Sequence, residues 1–401
     1  MSSTLRPLPG HGALYQWHEG LDRLAYVDAC YLVTSHLDGM GTAHAMAMEQ
    51  SAAITCIAGY FGPDALDDST VRIRAVEAVE DATSSELVSF DLPDDATAEP
   101  RNWRIHLAIP RSLLPLKPTQ LLNGVVGDIP RFGFLTRFRL ESLALPGDAG
   151  PGPAFGVAGL RARLGVARGP LLCRPQRPAV GIDWETMARL NHDALAGGCH
   201  LVKDCELQAF ACNAGYRTYL QTMLAARDAA SQASGERKCY IATLVCEPHE
   251  LAERWDIACT LGVDGVLVAP ALQGLGTMAE LAAQRRLPIL CHSSGTELMT
   301  RHPGWGIAAT VMSDIHVAYG ADLLVSPSDF AVQGIACDWQ VPLRAMPILQ
   351  GGKHPGGLGA YRNAVGNDDY VLNVATWLDT HPNGLQRAAG IFREAVDAQA
   401  R

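Results

Sequence analysis

The second half of the chain alternates short apolar segments with longer stretches of helical periodicity. Eight apolar segments recur from residue 170 onward, at 170–174, 200–203, 240–244, 265–268, 288–292, 322–326, 347–350 and 370–374. Parallel strands that are covered on both faces have such continuous apolar runs. Eight strand–helix units in about 250 residues predict a (β/α)8 TIM barrel.

The first part of the chain has a different pattern. Strand-like segments are predicted at 29–33, 71–76 and 103–109, with a helix over 42–53. This mixture predicts an N-terminal α+β (ferredoxin-like) domain with an antiparallel sheet. The Pro/Gly-rich segment 145–153 marks the boundary, so we predict an α+β domain at 1–147 and a barrel domain at 148–401.

The composition supports a large globular protein. The chain has 401 residues, of which 48% are hydrophobic and 18% are charged. A formal net charge of -10 argues against nucleic acid or an anionic membrane as the partner. The N-terminus lacks an apolar signal region, and no apolar run is long enough to span a bilayer. We therefore expect a cytoplasmic protein in which most of the eleven scattered cysteines are small core residues.

The segment 197–206, Gly-Gly-Cys-His-Leu-Val-Lys-Asp-Cys-Glu, is the strongest candidate for chemistry. Its apolar residues predict a buried strand that carries ionisable groups at its carboxyl end, where TIM barrels hold their active sites. His292, Arg174 and the loop after Ser326 fall at corresponding ends of other strands. A salt-bridged cluster without catalytic function is the alternative.

Several motifs occur in the same order as in the large subunit of ribulose-bisphosphate carboxylase/oxygenase (RuBisCO), which the chain resembles. The resemblance is to the divergent form IV, RuBisCO-like relatives, which fix no carbon dioxide. The matching stretches are 127–141, 155–172, 197–206, 302–306 and 320–328. The resemblance implies a homodimer in which the partner's N-terminal domain completes each active site.

The resemblance also implies a metal site at Lys203, Cys205 and Glu206. In that family the lysine becomes a carbamate that, with two carboxylates, binds Mg²⁺ and promotes enolisation. Cys205 stands where the family has an aspartate, and sulfur favours a softer divalent metal or none. Asp204 should point to the opposite side of the strand. Cys205 as a nucleophile, and unmodified Lys203 as a base, are further alternatives.

Other departures argue against carboxylation. Arg174 replaces the lysine that acts as base, although it could clamp an anion or simply form a salt bridge. The segment 328–331 lacks the loop lysine. The glycine triplet after the eighth strand is Ala-Thr-Trp at 375–377, whereas Gly351 and Gly352 remain as a cradle for an anion.

The remaining site residues follow from position in the family pattern. Glu49 matches a glutamate offered to the neighbouring subunit, and Asp128 replaces an asparagine that contacts substrate. His292 is a candidate proton carrier or substrate ligand. Ser326 is a candidate substrate contact.

These features predict an isomerase or lyase that removes a proton next to a carbonyl. The expected substrate is a small ketose-like molecule or thio-sugar, with or without a phosphate. The alternatives are a metal-free, thiol-dependent lyase and a non-catalytic barrel that binds a metabolite or a protein.

Overall fold

The structure is a computed structural model that describes residues 5–51, 58–60, 62–80, 87–114, 117–325 and 345–399. Ser326, the segment 328–331 and the last part of the predicted helix 42–53 therefore lie outside the described residues. The strands are β1 Tyr26–Ser35, β2 Arg72–Ala78, β3 Arg101–Pro110, β4 Leu135–Leu143, β5 Leu171–Pro175, β6 Leu201–Lys203, β7 Cys239–Thr243, β8 Gly265–Val268, β9 Ile289–Cys291, β10 Trp305–Ile307, β11 Leu323–Val325, β12 Met346–Leu349 and β13 Val371–Asn373.

The α-helices of the described residues include several of a single turn. They are α1 Gly39–Glu49, α2 Pro118–Val125, α3 Gly156–Leu164, α4 Trp184–Gly197, α5 Asn213–Ser234, α6 Pro248–Leu261, α7 Pro270–Gln273, α8 Leu275–Ala283, α9 Glu297–Thr300, α10 Ala309–Ala318, α11 Leu358–Val365, α12 Thr376–Asp379 and α13 Leu385–Gln399. None of the described helices is long and apolar enough to cross a bilayer.

The N-terminal unit comprises Met1–Gly150 together with Glu297–Ile315. Its five-stranded sheet has the order β10-β4-β1-β3-β2, and the pairs among β1 to β4 are antiparallel. Strand β10 joins the edge of this sheet parallel to β4. The sequence did not predict this addition, because a three-residue strand carries too little periodicity to be assigned to a particular sheet.

Helix α1 lies against strands β2 and β3 of this sheet. The Asp38 carboxylate caps it by accepting the Gly41 N–H at 2.7 Å. Gly39 lets the helix approach closely, since a Cβ there would lie 2.6 Å from Val76 Cγ1. Glu49 is the last residue of α1.

The barrel unit comprises Pro151–Thr296 and His316–Arg401. Its eight parallel strands close in the order β11-β12-β13-β5-β6-β7-β8-β9. Each predicted apolar segment from 170 onward contains most or all of one of these strands. The predicted fold class, an α+β domain followed by a TIM barrel, is confirmed.

Alternate residues of each barrel strand fill the interior. The interior cluster includes Leu171 and Cys173 of β5, Leu201 of β6 and Ile241 of β7. Helix α3 adds Leu160 and Leu164 to the same cluster, and Asp322 accepts the Phe155 and Gly156 N–H groups before that helix, at 2.7 Å each. The described interior of the barrel is thus a packed apolar core.

Candidate active site

Strand β6 delivers Lys203 to the inside of the barrel. Leu201 faces the interior, and the alternation of strand side chains directs Lys203 the same way. The Lys203 side chain is only 2% exposed. Its Nζ donates a hydrogen bond to the backbone carbonyl of Asp204 at 3.1 Å. A buried amine therefore lies at the carboxyl end of a barrel strand, as the sequence predicted.

Glu206 and His292 meet beside this lysine. Glu206 follows β6, and its Oε2 lies 3.9 Å from Lys203 Nζ and 3.4 Å from His292 Nε2. His292 directly follows β9, which is not a neighbour of β6 in the barrel. The Glu206–His292 contact therefore brings together loops from separate strands, and the three side chains form one cluster.

The hydrogen bonds of His292 define its tautomer. Its Nδ1 accepts the Ser294 N–H at 3.3 Å and lies 2.9 Å from the Ser294 hydroxyl. The neutral ring therefore carries its proton on Nε2, which faces Glu206. Burial, followed by the charge of Lys203, lowers the pKa of His292 to about 4, although Glu206 opposes this. His292 is a neutral N–H donor at physiological pH.

Glu206 is the anionic member of the cluster. Burial by itself raises the pKa of this carboxyl. The charge that His292 has when protonated, the backbone hydrogen bond of Glu206, the charge of Lys203 and the hydrogen bond from Cys205 outweigh burial, and the net pKa is lowered. An ionised carboxylate therefore faces a neutral imidazole N–H, next to an amine. Such a group can accept a proton, pass it on and stabilise a developing oxyanion.

Cys205 does not have the environment of a reactive thiolate. Its side chain is buried, and burial raises the pKa of its thiol. The adjacent carboxylate of Glu206 raises it further. Because nucleophilic and metal-binding cysteines need the thiolate, this environment favours neither of the two predicted roles.

Asp204 turns away from Lys203, which confirms the alternation expected from the sequence. Its fully buried carboxylate accepts hydrogen bonds from the Tyr219 hydroxyl at 2.8 Å, the Tyr240 hydroxyl at 2.7 Å and the Thr243 N–H at 2.9 Å. Tyr219 belongs to α5, and Tyr240 and Thr243 belong to β7. Sequence reasoning missed this network, which fixes the turn that carries the cluster.

The donor atoms of the cluster do not fit a magnesium ion. Among the described residues, no three His, Cys, Asp or Glu side chains are arranged to hold a metal. Around Lys203 there is one hard anionic ligand, Glu206, beside an amine and a thiol whose pKa is raised. Mg²⁺ prefers an octahedral set of oxygen ligands. A hard-metal site would require a chemical change at Lys203.

Arg174 lies outside the barrel interior. Its neighbours in β5, Leu171 and Cys173, define the inward face, and Arg174 is 1% exposed on the other side. Its Nε donates to Asp379 Oδ1 at 2.8 Å, and an Nη donates to the Arg177 carbonyl at 2.8 Å. This is the salt bridge that sequence analysis offered as the alternative to an anion clamp.

Arg177 is a positive group that the sequence did not single out. It is exposed, and its charge contributes to the lowered pKa of His292. It follows β5 by two residues, in the loop where barrel enzymes bind substrate. The sequence signal that could have identified it is a basic residue directly after the Arg-Pro-Gln end of the strand.

The glycine pair after β12 has two consecutive residues with positive φ. Gly351 has φ +76° and Gly352 has φ +57°, in the left-handed region that favours glycine. After β13, however, the chain enters the short helix α12. There Trp377 packs on Phe392, with ring centroids 5.3 Å apart. A bulky side chain thus occupies the position of a glycine in the family pattern.

Glu49 and Asp128 both belong to the N-terminal unit. The guanidinium of Arg131 contacts Glu49 at 3.0 Å and lies 3.5 Å from Asp128. Glu49 is mostly buried, whereas the Asp128 side chain is 75% exposed. The structure thus joins these two predicted site residues through an arginine that sequence analysis did not name.

A cavity of about 600 Å³ opens between the loops that follow β6, β7 and β8. Phe210, Cys246, Glu250 and Leu272 are among its lining residues, and Lys203 and His292 are not. The cysteine is half-buried, and burial raises the pKa of its thiol to about 11. The cavity is therefore a neighbour of the cluster on the same side of the barrel and contains no activated thiol.

Comparison with known proteins finds similarity to one family. Residues 156–328 match the family described as ribulose bisphosphate carboxylase large chain, catalytic domain. A ribulose bisphosphate carboxylase-like protein of Bordetella bronchiseptica is 27% identical over 392 residues, 92% of each chain. A ribulose bisphosphate carboxylase-like protein of Archaeoglobus fulgidus is 24% identical, over 95% of this chain and 89% of that protein.

Solved structures show the same fold. A rubisco-like protein from Burkholderia fungorum superposes with a TM-score of 0.83 at 22% identity, covering 94% of each chain. The rubisco-like protein MtnW from Alicyclobacillus acidocaldarius gives 0.80 at 24% identity, again over 94% of each chain. The dimeric archaeal Rubisco from Hyperthermus butylicus gives 0.79 at 21% identity, over 96% of this chain and 93% of that one.

Proposed function

We propose that this chain, a divergent RuBisCO-like member of the ribulose bisphosphate carboxylase large-chain family, is an isomerase- or lyase-type enzyme and not a carboxylase. It removes a proton from the carbon next to the carbonyl of a small ketose-like or thio-sugar substrate, with or without a phosphate. The observation that carries this proposal is the contact of Glu206 with both His292 and Lys203.

Each member of the cluster has one task. The ionised Glu206 accepts the substrate proton, because it is the carboxylate in the cluster. His292 holds Glu206 in place through its Nε2–H. Lys203 supplies positive charge at the carbonyl carbon, which stabilises the electron pair left when the neighbouring proton is removed. Gly351 and Gly352 offer backbone N–H groups to a phosphate, if the substrate has one.

Deuterium incorporation tests the proposal even when the product is unidentified. The protein is incubated in D₂O with a panel of ketoses, ketose phosphates and thio-sugars, and the label at the carbon next to the carbonyl is followed by NMR. We expect Glu206→Gln and His292→Gln to slow incorporation by roughly 100-fold or more. His249→Gln, a change at an exposed histidine on α6, is the matched control. Incorporation that both site variants retain would refute the assignment.

A second candidate is a binding protein that has lost catalysis. The thiol of Cys205 at a metal position and the packed Trp377 at a glycine position favour it. A thermal-shift screen of the same panel distinguishes the two functions. Stabilisation by a ligand without any deuterium incorporation supports binding alone.

We also propose that the protein is a homodimer in which Glu49 reaches the partner's cluster. Glu49 of the N-terminal unit is the residue that the family pattern offers for this role. Lys203→Met and Glu49→Gln would each inactivate their own protein. Mixed dimers would regain part of the activity only if one site uses residues of two chains, so activity restored on mixing supports the shared site and its absence counts against it.

A further inference from the structure

Lysine is rare in this chain, and Lys203 differs from the other three. The chain contains Lys117, Lys203, Lys238 and Lys353. Lys117 is exposed. Lys238 is buried in an ion pair of 2.7 Å with Glu236. Lys353 is buried and donates to the Gly351 carbonyl at 2.8 Å. Lys203 has its amine beside a carboxylate and a histidine on the inside of the barrel, with the carboxylate beyond hydrogen-bond distance at 3.9 Å.

This arrangement suits covalent chemistry of the amine. Enolisation needs an electron-withdrawing group on the carbonyl carbon, and the donor atoms around Lys203 do not fit Mg²⁺. A lysine amine can supply that group by forming an imine with a ketone. The reaction also needs a proton acceptor and donor at the amine, which Glu206 provides, backed by His292.

We propose that the Lys203 amine forms an imine with the carbonyl carbon of a small ketose-like substrate. This inference rests on the proposed function and names the group that makes the neighbouring C–H acidic. Cys173 of β5 and Leu201 of β6 belong to the apolar cluster inside the barrel, on the face of the strands from which Lys203 projects.

The reaction balances without any further reactant. Glu206 takes one proton from the ammonium, and the neutral amine adds to the carbonyl carbon while a nitrogen proton passes to the oxygen. The proton on Glu206 then returns to the hydroxyl, the C–O bond breaks, and water leaves. The product is a protonated C=N bond. When the neighbouring C–H proton moves to Glu206, its electron pair is delocalised onto the imine nitrogen.

Reductive trapping tests this inference. The full chain is incubated with dihydroxyacetone and sodium cyanoborohydride in bicarbonate-free buffer, and adducts are located by intact mass and peptide mapping. We expect Lys203 to be labelled roughly tenfold faster than Lys117, although Lys117 is exposed and Lys203 is buried. Exposure alone predicts the reverse order. Labelling that follows exposure would overturn the proposal.

Two matched variants distinguish loss of imine formation from loss of the folded structure. Lys203→Arg keeps the positive charge but cannot form an imine, so its adduct should disappear. Lys238→Met removes a lysine at the amino end of β7, where Glu236 keeps its contacts with Arg393 at 3.1 Å, and the Lys203 adduct should persist. Deuterium incorporation that survives in Lys203→Arg would refute the imine and leave the proposed function intact. An adduct on Lys203 without incorporation by any ketose would refute the proposed function and leave the amine chemistry.

Discussion

Replacement of Asp204 by asparagine should change the pH dependence of stability. Burial raises the pKa of Asp204 from 3.8 to about 6, although the hydrogen bonds from Thr243, Tyr240 and Tyr219 oppose the rise. Because the folded-state pKa lies above the unfolded-state value, stability from this group is greatest below pH 3.8 and falls as the pH rises through about 6. The difference corresponds to about 3 kcal/mol once the carboxyl is ionised in both states.

The cost at intermediate pH follows from the same two values. Linkage gives a penalty of about 2 kcal/mol at pH 5 and about 3 kcal/mol at pH 7.5. Asp204→Asn carries no such penalty, but it loses part of a network in which each bond contributes about 1 kcal/mol. The free energy of unfolding of the variant, relative to the wild type, should therefore improve by about 1 kcal/mol between pH 5 and pH 7.5.

Urea unfolding of both proteins at the two pH values measures this quantity. Asp256→Asn is the matched control, because that carboxylate is 67% exposed and is paired with Arg286 at the surface. The relative stability of the control should not change with pH over this range. If the relative stability of Asp204→Asn is also independent of pH, or falls as the pH rises, the buried carboxylate does not titrate in this range.

Three further predictions concern the cluster and its surroundings. Lys203→Met should raise the pKa of His292 above about 4, because a neighbouring positive charge is removed while burial remains. NMR titration of the imidazole nitrogens checks this, and an unchanged pKa would show that the charge of Lys203 does not act on His292. Cys205→Asp should bind Mg²⁺ in bicarbonate buffer, as measured by calorimetry. Equally tight binding by the wild type would contradict the statement that the donor atoms around Lys203 do not fit Mg²⁺. Arg174→Met should lower the free energy of unfolding by about 3 kcal/mol. The double variant Arg174→Met/Asp379→Asn should lose little more free energy of unfolding than Arg174→Met alone. If the losses of the two single variants add up in the double variant, the pair at 2.8 Å is not coupled.

Much of the barrel could be predicted because its signal is local. A strand buried on both faces is apolar over four or five consecutive residues, whatever the rest of the chain does. Strand alternation is equally local, and it placed Lys203 and Asp204 on opposite faces. The order of the family motifs then identified the strand ends that carry ionisable groups.

The chemistry of the site depends on tertiary structure, because the charge state of a group is set by neighbours that are distant in sequence. Glu206 and His292 are brought together only when the barrel closes, and burial and the charge of Lys203 then lower the pKa of the imidazole. The partner of Arg174 was also decided by tertiary structure, because Asp379 lies beyond the last strand. Local patterns in the chain were enough to specify the strands, their faces and the residues at their ends. Closure of the barrel selected which of those residues share a low-dielectric environment, since both burial and Coulomb interactions act through space.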